Sequence, residues 1–338
     1  MDTNTLIALG ATAAVAFAAS ALGGRWLIPL LHKLKFGQTI RDIGPAWHKN
    51  KQGIPTMGGF LFMLGLLIAL ALAVPVCQWA TGDPALRSFT GSVTNTRLVS
   101  GWLLMFGCGA VGFADDYIKV VKKRNLGLTE KQKLFGQLVV AAGYAGSLYM
   151  AGDHVQTLPW VGSVDLGLWF IPLCMLIVVA ATNAVNLTDG IDGLCGSVTF
   201  LACLPFLVLA GAWGQFGQSL TAAALAGGVL GFLVWNMHPA KVFMGDTGSL
   251  FLGGALCALA FGIGRPLLLV PVGIVYVCET LSVILQVTYF KITHGRRLFK
   301  MSPIHHHFEM CGWSEGKIVT VFSLVTLLGC VLALLLEA

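Results

Sequence analysis

Asn183-Ala-Val-Asn186-Leu-Thr-Asp189-Gly-Ile-Asp192-Gly-Leu194 stands between two long apolar runs. Carboxylates are costly beside such runs unless they are solvated or put to use. Asp189 and Asp192 are three residues apart, so on a helical turn both would share one face. Gly190 and Gly193 permit close backbone approach or a positive φ. The stretch reads as a polar working loop at the ends of two membrane-crossing segments.

The rest of the chain has the composition this reading needs. Of 338 residues, 56% are hydrophobic and only 11% are charged, and the mean hydropathy is +0.81. A soluble chain would carry roughly 25% charged residues. The composition therefore specifies a polytopic, all-α membrane protein, and the net charge of +6 is no nucleic-acid signal. The nine cysteines include no C-x-x-C pair and fall mostly within apolar runs, as small membrane-helix hydrophobes do. Asp2 and the absence of a basic residue before the first apolar run argue against a cleaved signal peptide.

Ten apolar segments approach the ~20 residues needed for a span. They run near 5–31, 57–76, 97–114, 134–151, 167–185, 194–213, 220–236, 248–264, 267–290 and 317–336. No internal repeat is visible, so residues 1–338 read as one transmembrane domain. Charge alternates between the connections. Lys33, Lys35, Arg41, Lys49 and Lys51 occupy the first, and Lys119, Lys122, Lys123, Arg124, Lys131 and Lys133 the third. Lys241 lies in the seventh, and Lys291, Arg296, Arg297, Lys300 and Lys317 in the ninth. Only Arg25, Arg87, Arg97 and Arg265 lie elsewhere. The positive-inside rule makes the basic connections cytoplasmic, and ten spans then leave both termini outside. Asp115, Asp116, Asp189, Asp192 and Asp246 all fall on this cytoplasmic side, which is the expected active-site face.

Three further stretches carry chemistry. Gly112-Phe-Ala-Asp-Asp-Tyr-Ile-Lys119 closes the third span; its adjacent carboxylates repel unless a cation lies nearby, which suits a general base or a metal. Asn236-Met-His-Pro-Ala-Lys-Val-Phe-Met-Gly-Asp-Thr-Gly-Ser249 puts Asp246 near a helix N-terminus, where anions and phosphates are favoured, although a plain helix cap has the same pattern. Ser302-Pro-Ile-His-His-His-Phe-Glu309 lies in the last basic loop. Its consecutive imidazoles rarely all reach one zinc ion with Cys311; as donors they could instead hold a diphosphate, and a plain solvated loop has the same pattern. Acidic loops without cysteine clusters favour a hard, oxygen-liganded cation, Mg²⁺ above zinc. Glu279 stands inside the ninth span, where an ionisable group marks function unless Thr280 or Ser282 satisfies it locally. Together these residues indicate Mg²⁺-dependent phosphate chemistry at the cytoplasmic face, beside a hydrophobic groove for a lipid tail.

These stretches resemble the phospho-N-acetylmuramoyl-pentapeptide transferase family, within the polyprenyl-phosphate N-acetylhexosamine-1-phosphate transferases. The matching segments are Gln38-x-Ile-Arg-x-x-Gly-Pro-x-x-His48, Pro55-Thr-Met-Gly-Gly59, Ala114-Asp-Asp116, the 183–193 stretch, Phe243-Met-Gly-Asp-Thr-Gly-Ser249 and Pro303-Ile-His-His-His-Phe-Glu309. They span nearly the whole chain in the family's order. The triple histidine and Pro-Thr-Met-Gly-Gly look like the muramoyl-pentapeptide branch. Ile54 departs from the threonine usual before that proline, a mild change.

The resemblance implies ten spans in a bacterial cytoplasmic membrane, and a homodimer. It implies transfer of phospho-MurNAc-pentapeptide from UDP-MurNAc-pentapeptide to undecaprenyl phosphate, giving lipid I and UMP. By carry-over, Asp246 looks like the principal Mg²⁺ ligand, and Asp115 and Asp116 like the residues that deprotonate or orient the lipid phosphate. Asn186, Asp189 and Asp192 resemble the uridine and diphosphate pocket, with Lys51, Asn236, Phe243 and Gln286 contributing. Lys131 and Lys133 would hold phosphate, and His305, His306 and His307 the diphosphate or the sugar-pentapeptide end. Direct attack by the lipid phosphate and a covalent aspartyl intermediate are both open to such a site. Two other functions compete: a GlcNAc-1-phosphate transferase of the same superfamily, and an ion-coupled transporter. The transporter would want acidic groups near the midplane, where only Glu279 fits.

Overall fold

In the computed structural model, residues 3–34, 51–81, 93–121, 127–158 and 162–337 are described. The Gln38–His48 motif and the basic residues Lys35, Arg41, Lys49, Lys122, Lys123 and Arg124 lie outside them. The described chain is helical almost throughout: α1 Thr3–Lys33, α2 Phe60–Thr81, α3 Val93–Val121, α4 Glu130–Met150, α5 Phe170–Thr188 and α6 Leu194–Ala212. Then follow α7 Phe216–Asn236, α8 Gly245–Gly262, α9 Leu269–Val272, α10 Ile274–Ile292, α11 Ile304–Met310 and α12 Glu315–Leu336.

Each of the ten apolar segments is helical. Eight helices among the described residues are long and apolar enough to cross a membrane. In α2 the apolar stretch is the shorter 60–73, and α4, with its charged first turn, is not among the eight. The ninth segment differs from the expected single rod. A 3-10 turn at Pro266–Leu268 leads into the four-residue α9, and Gly273 separates α9 from α10. Pro266 and Pro271 account for the break, since neither offers an N–H to continue a helix. The other additions are a small antiparallel hairpin, β1 Val155–Leu158 with β2 Gly162–Asp165, and α11 in the last basic loop.

The packing turns the usual soluble pattern outward. Helices α7 and α8 are central, with most of their residues buried, whereas Trp26, Leu103, Leu176 and Leu328 are each at least 65% exposed. Apolar surface of this extent suits lipid rather than water. Small residues let the inner helices approach closely, as membrane helices do. The decisive case is Gly112 of α3, where a Cβ would strike the main-chain carbonyl of Asp246 on α8. That contact brings the acidic end of α3 alongside the first turn of α8. Because the long helices alternate in direction, the ends of α3, α5, α7 and α10 and the starts of α4, α6, α8 and α12 share one end of the bundle.

At the opposite end, Arg97 makes a two-point contact with Asp153, at 2.6 and 2.5 Å, tying the start of α3 to the loop after α4. Arg265 pairs with Glu337 at 2.9 Å there and stacks over Trp213.

Candidate active site

Three carboxylates meet where α3 and α8 touch. Oxygens of Asp115, Asp116 and Asp246 lie within 4.8 Å of one another. Asp115 and Asp116 are buried, and the Asp246 side chain is 16% exposed. Lys119, one turn beyond Asp115 on α3, places its Nζ at 2.5 Å from Asp115, 3.8 Å from Asp116 and 2.8 Å from Asp246. A second ammonium comes from α4. Thr129 and Gln132 form a reciprocal capping box that starts α4 with Lys133 facing inward. Lys133 donates to Asp246 at 3.2 Å and to Asn186 Oδ1 at 3.1 Å. Asn186 of α5 donates to Asp246 Oδ1 and to Ser249 Oγ, both at 2.8 Å. Asp116 accepts from the Thr247 N–H at 2.9 Å and its hydroxyl at 2.7 Å, while Asp115 accepts from the Leu128 N–H at 2.8 Å. The site is thus drawn from α3, α4, α5 and α8.

This donor set fits a hard divalent cation. Its ligands are carboxylate oxygens on a short perimeter, which is the chemistry such ions select. Lys119 supplies positive charge at the same point, so the site already solves the like-charge problem with a cation. Sequence reasoning assigned no role to Lys119, although its i+3 and i+4 spacing from Asp116 and Asp115 was the available signal. Lys131 is exposed on α4, and of the two lysines only Lys133 enters the cluster.

Asp189 caps the end of α5 in a non-helical conformation, partly buried. Burial, with the negative charges of Asp246, Asp116 and Asp192, pushes its carboxyl up to about 8. Asp192 belongs to a neighbouring cluster. It is 2% exposed and accepts from Lys51 Nζ at 2.7 Å and from the Ala240 N–H at 3.0 Å, with His238 Nδ1 also at 3.0 Å. Lys51 also binds Glu315, the first residue of α12, at 2.7 Å, and the Asp192 N–H donates to Glu315 at 3.0 Å. Asp192, His238 and Glu315 also have the spacing to hold a metal ion, and the Lys51 ammonium bridges two of them, Asp192 and Glu315. Asn236 accepts from the Gly193 N–H at 3.1 Å and donates to the Val242 carbonyl at 2.9 Å, joining two loops of the site. Phe243 is partly exposed. Its backbone pairs with the Pro55–Gly59 stretch: Phe243 N–H donates to Pro55 and Gly58 N–H donates back, at 2.9 and 2.8 Å.

The histidines face three ways. His305 Nδ1 lies 3.0 Å from Glu279, with both side chains fully buried. His306 pairs with Glu309 at 2.6 Å. His307 Nδ1 accepts from the Lys300 N–H at 3.1 Å, which secures the basic loop. Gln286 does similar work, accepting from the N–H groups of Leu298 and Phe299 at 3.1 and 2.8 Å. Glu315 and His238 escaped sequence reasoning, because nothing local distinguishes them.

An apolar helical bundle with clustered carboxylates and lysines gathered at one end defines a membrane protein suited to metal-assisted phosphate chemistry. Residues 98–263, which include this cluster, match the family model described as Glycosyl transferase family 4. Similar proteins include the phospho-N-acetylmuramoyl-pentapeptide-transferases of Halalkalibacterium halodurans (48% identical over 92% of this chain and 91% of that one) and Shouchella clausii (48% identical over 92% of each). That of Bacillus thuringiensis is equally similar, at 48% identity over 92% of each chain. The chain belongs to the phospho-N-acetylmuramoyl-pentapeptide-transferase family.

Proposed function

We propose that this protein transfers phospho-MurNAc-pentapeptide from UDP-MurNAc-pentapeptide to undecaprenyl phosphate, forming lipid I and releasing UMP. The observation that carries the reading is the Asp115–Asp116–Asp246 cluster, held with Lys119 and Lys133 at the basic end of an apolar bundle. Family membership selects the muramoyl substrate over the GlcNAc relative. The transporter reading is disfavoured because the carboxylates gather at one end of the bundle.

Asp246 would be the principal ligand for Mg²⁺, with Asp115 and Asp116 beside it. When bound, the cation neutralises diphosphate charge and eases departure of UMP. The chain's own residues supply positioning and charge. Lys133 and Lys119 hold phosphate oxygens, Asn186 orients Asp246, and Asp115 or Asp116 orients the lipid phosphate. An oxygen of that phosphate attacks the β-phosphorus, the bond from this phosphorus to the bridging oxygen breaks, and UMP leaves with the electron pair. We favour this direct attack over an aspartyl intermediate. The lipid phosphate is already anionic near neutral pH, and all three aspartates are engaged as acceptors by ammonium, amide or hydroxyl donors. Lys51, Asp189, Asp192, Asn236, Phe243 and Gln286 build or support the nucleotide pocket, and His305, His306 and His307 the diphosphate-sugar end. We further infer one domain of ten spans with both termini outside, in the cytoplasmic membrane of a bacterium and working as a homodimer. The alternation of basic connections and the family likeness support this.

The test is UMP release by purified protein given undecaprenyl phosphate and Mg²⁺, with UDP-MurNAc-pentapeptide or UDP-GlcNAc. Release with the muramoyl substrate alone, abolished by EDTA, is the expected result. Release with UDP-GlcNAc alone would move the protein to the neighbouring branch.

A further inference from the structure

Glu279 is the one acidic side chain deep in α10, and nothing in the carboxylate cluster touches it. An ionisable group in a spanning helix is expensive and would be replaced by an apolar one if only packing mattered. Its carboxylate is instead devoted to His305. One oxygen meets Nδ1 at 3.0 Å and the other lies 3.5 Å from the His305 backbone nitrogen. Both side chains are 0% exposed. With Nδ1 so engaged, the ring presents Nε2 to the loop after α5. A Cβ on Gly190 would collide with that nitrogen, so the glycine is what admits the ring. Nε2 is buried and has no hydrogen-bond partner among the described residues. Buried polar nitrogens are normally satisfied, and one left open beneath a loop of the site is suited to a polar group that arrives with substrate. The same loop is fixed at its far end, where Asp192 is held by Lys51 and His238.

We propose that Glu279 is a positioning residue for the nucleotide-sugar pocket, acting through His305, whose Nε2 it aims at Gly190 and the diphosphate-sugar end of the substrate. This rests on the nucleotide-sugar reading of the site. Carboxylate partners fix imidazole orientation in the same way behind metal and catalytic histidines.

The experiment measures KM for each substrate separately in the full-length enzyme. Glu279→Leu should raise the KM for UDP-MurNAc-pentapeptide about tenfold or more, leaving that for undecaprenyl phosphate within about twofold. Glu279→Gln keeps an oxygen to accept from Nδ1 and should restore most of the loss. In a His305→Ala background, Glu279→Leu should add little, because the residue through which it acts is gone. A fall in kcat and melting temperature with neither KM moved would mark Glu279 as merely structural and overturn the proposal. So would equal losses in both backgrounds.

Should Glu279→Leu fail to fold, Gly190→Ala decides the matter. It should raise the nucleotide-sugar KM in the wild-type background and much less beside His305→Ala, and equal effects in both would overturn the proposal. If the wild-type enzyme turns over only UDP-GlcNAc, the substrate reading fails, and the same KM comparison on UDP-GlcNAc decides the role of Glu279.

Discussion

Asp246 is approached from three helices besides its own: Lys119 of α3, Lys133 of α4 and Asn186 of α5. Replacing it with Asn keeps the shape and removes the charge. Asp246→Asn should lower Mg²⁺-dependent UMP release by about 10²–10³-fold, the scale of losing a central electrostatic group, while the detergent-solubilised protein stays folded. Near-normal turnover would sink the assignment. Asp189 makes a different prediction. Its carboxyl is held up to about 8 in the folded protein against roughly 3.9 in an unfolded chain. The folded state therefore keeps a proton that the unfolded state releases. Wild-type stability should fall, relative to Asp189→Asn, as pH rises from about 4 to about 8, and the gap should stay constant above that. Melting curves of both proteins across this range check it, and a gap that does not change with pH would refute it.

At the level of elements, the site depends on how closely α3 and α8 lie. Gly112 has no room for a side chain against the Asp246 carbonyl. Gly112→Val should separate the two helices at the carboxylates, costing about 1–3 kcal/mol of stability by overpacking. It should lower turnover even at temperatures where the variant remains folded. Full activity in a folded Gly112→Val protein would show that the contact does not set the site. The ten helical segments are legible in the sequence because each is a long apolar run bounded by charge or glycine. The break at Gly273 is less so: Pro266 and Pro271 signal it, but an apolar run that continues through them masks the signal. The hairpin at 155–165 is too short and too polar to stand out beside spans of this length.

Across the whole molecule, legibility follows distance along the chain. Asp115, Asp116 and Asp246 stand out because carboxylates in glycine-rich interruptions between apolar runs have few other uses. The partners that complete the site do not. Lys119 is one of several basic residues after the third apolar run, marked only by its i+3 and i+4 spacing from Asp116 and Asp115, and Glu315 reads as a helix-start residue behind Ser314. No local pattern pairs Lys51 with a residue 264 positions away. Nor does any show that Asp192 is tied to His238 and Lys51 or that His305 has its acceptor on α10.

The Lys51–Asp192–Glu315 tie also bears on how the enzyme is made. A ribosome delivers Lys51 early, Asp192 midway and Glu315 almost last, so the nascent chain holds two corners of the pocket long before the third exists. Until α12 enters the membrane, the loop carrying Asp192 lacks the carboxylate that receives its N–H and shares its lysine. The final span therefore supplies the last partner of this tie.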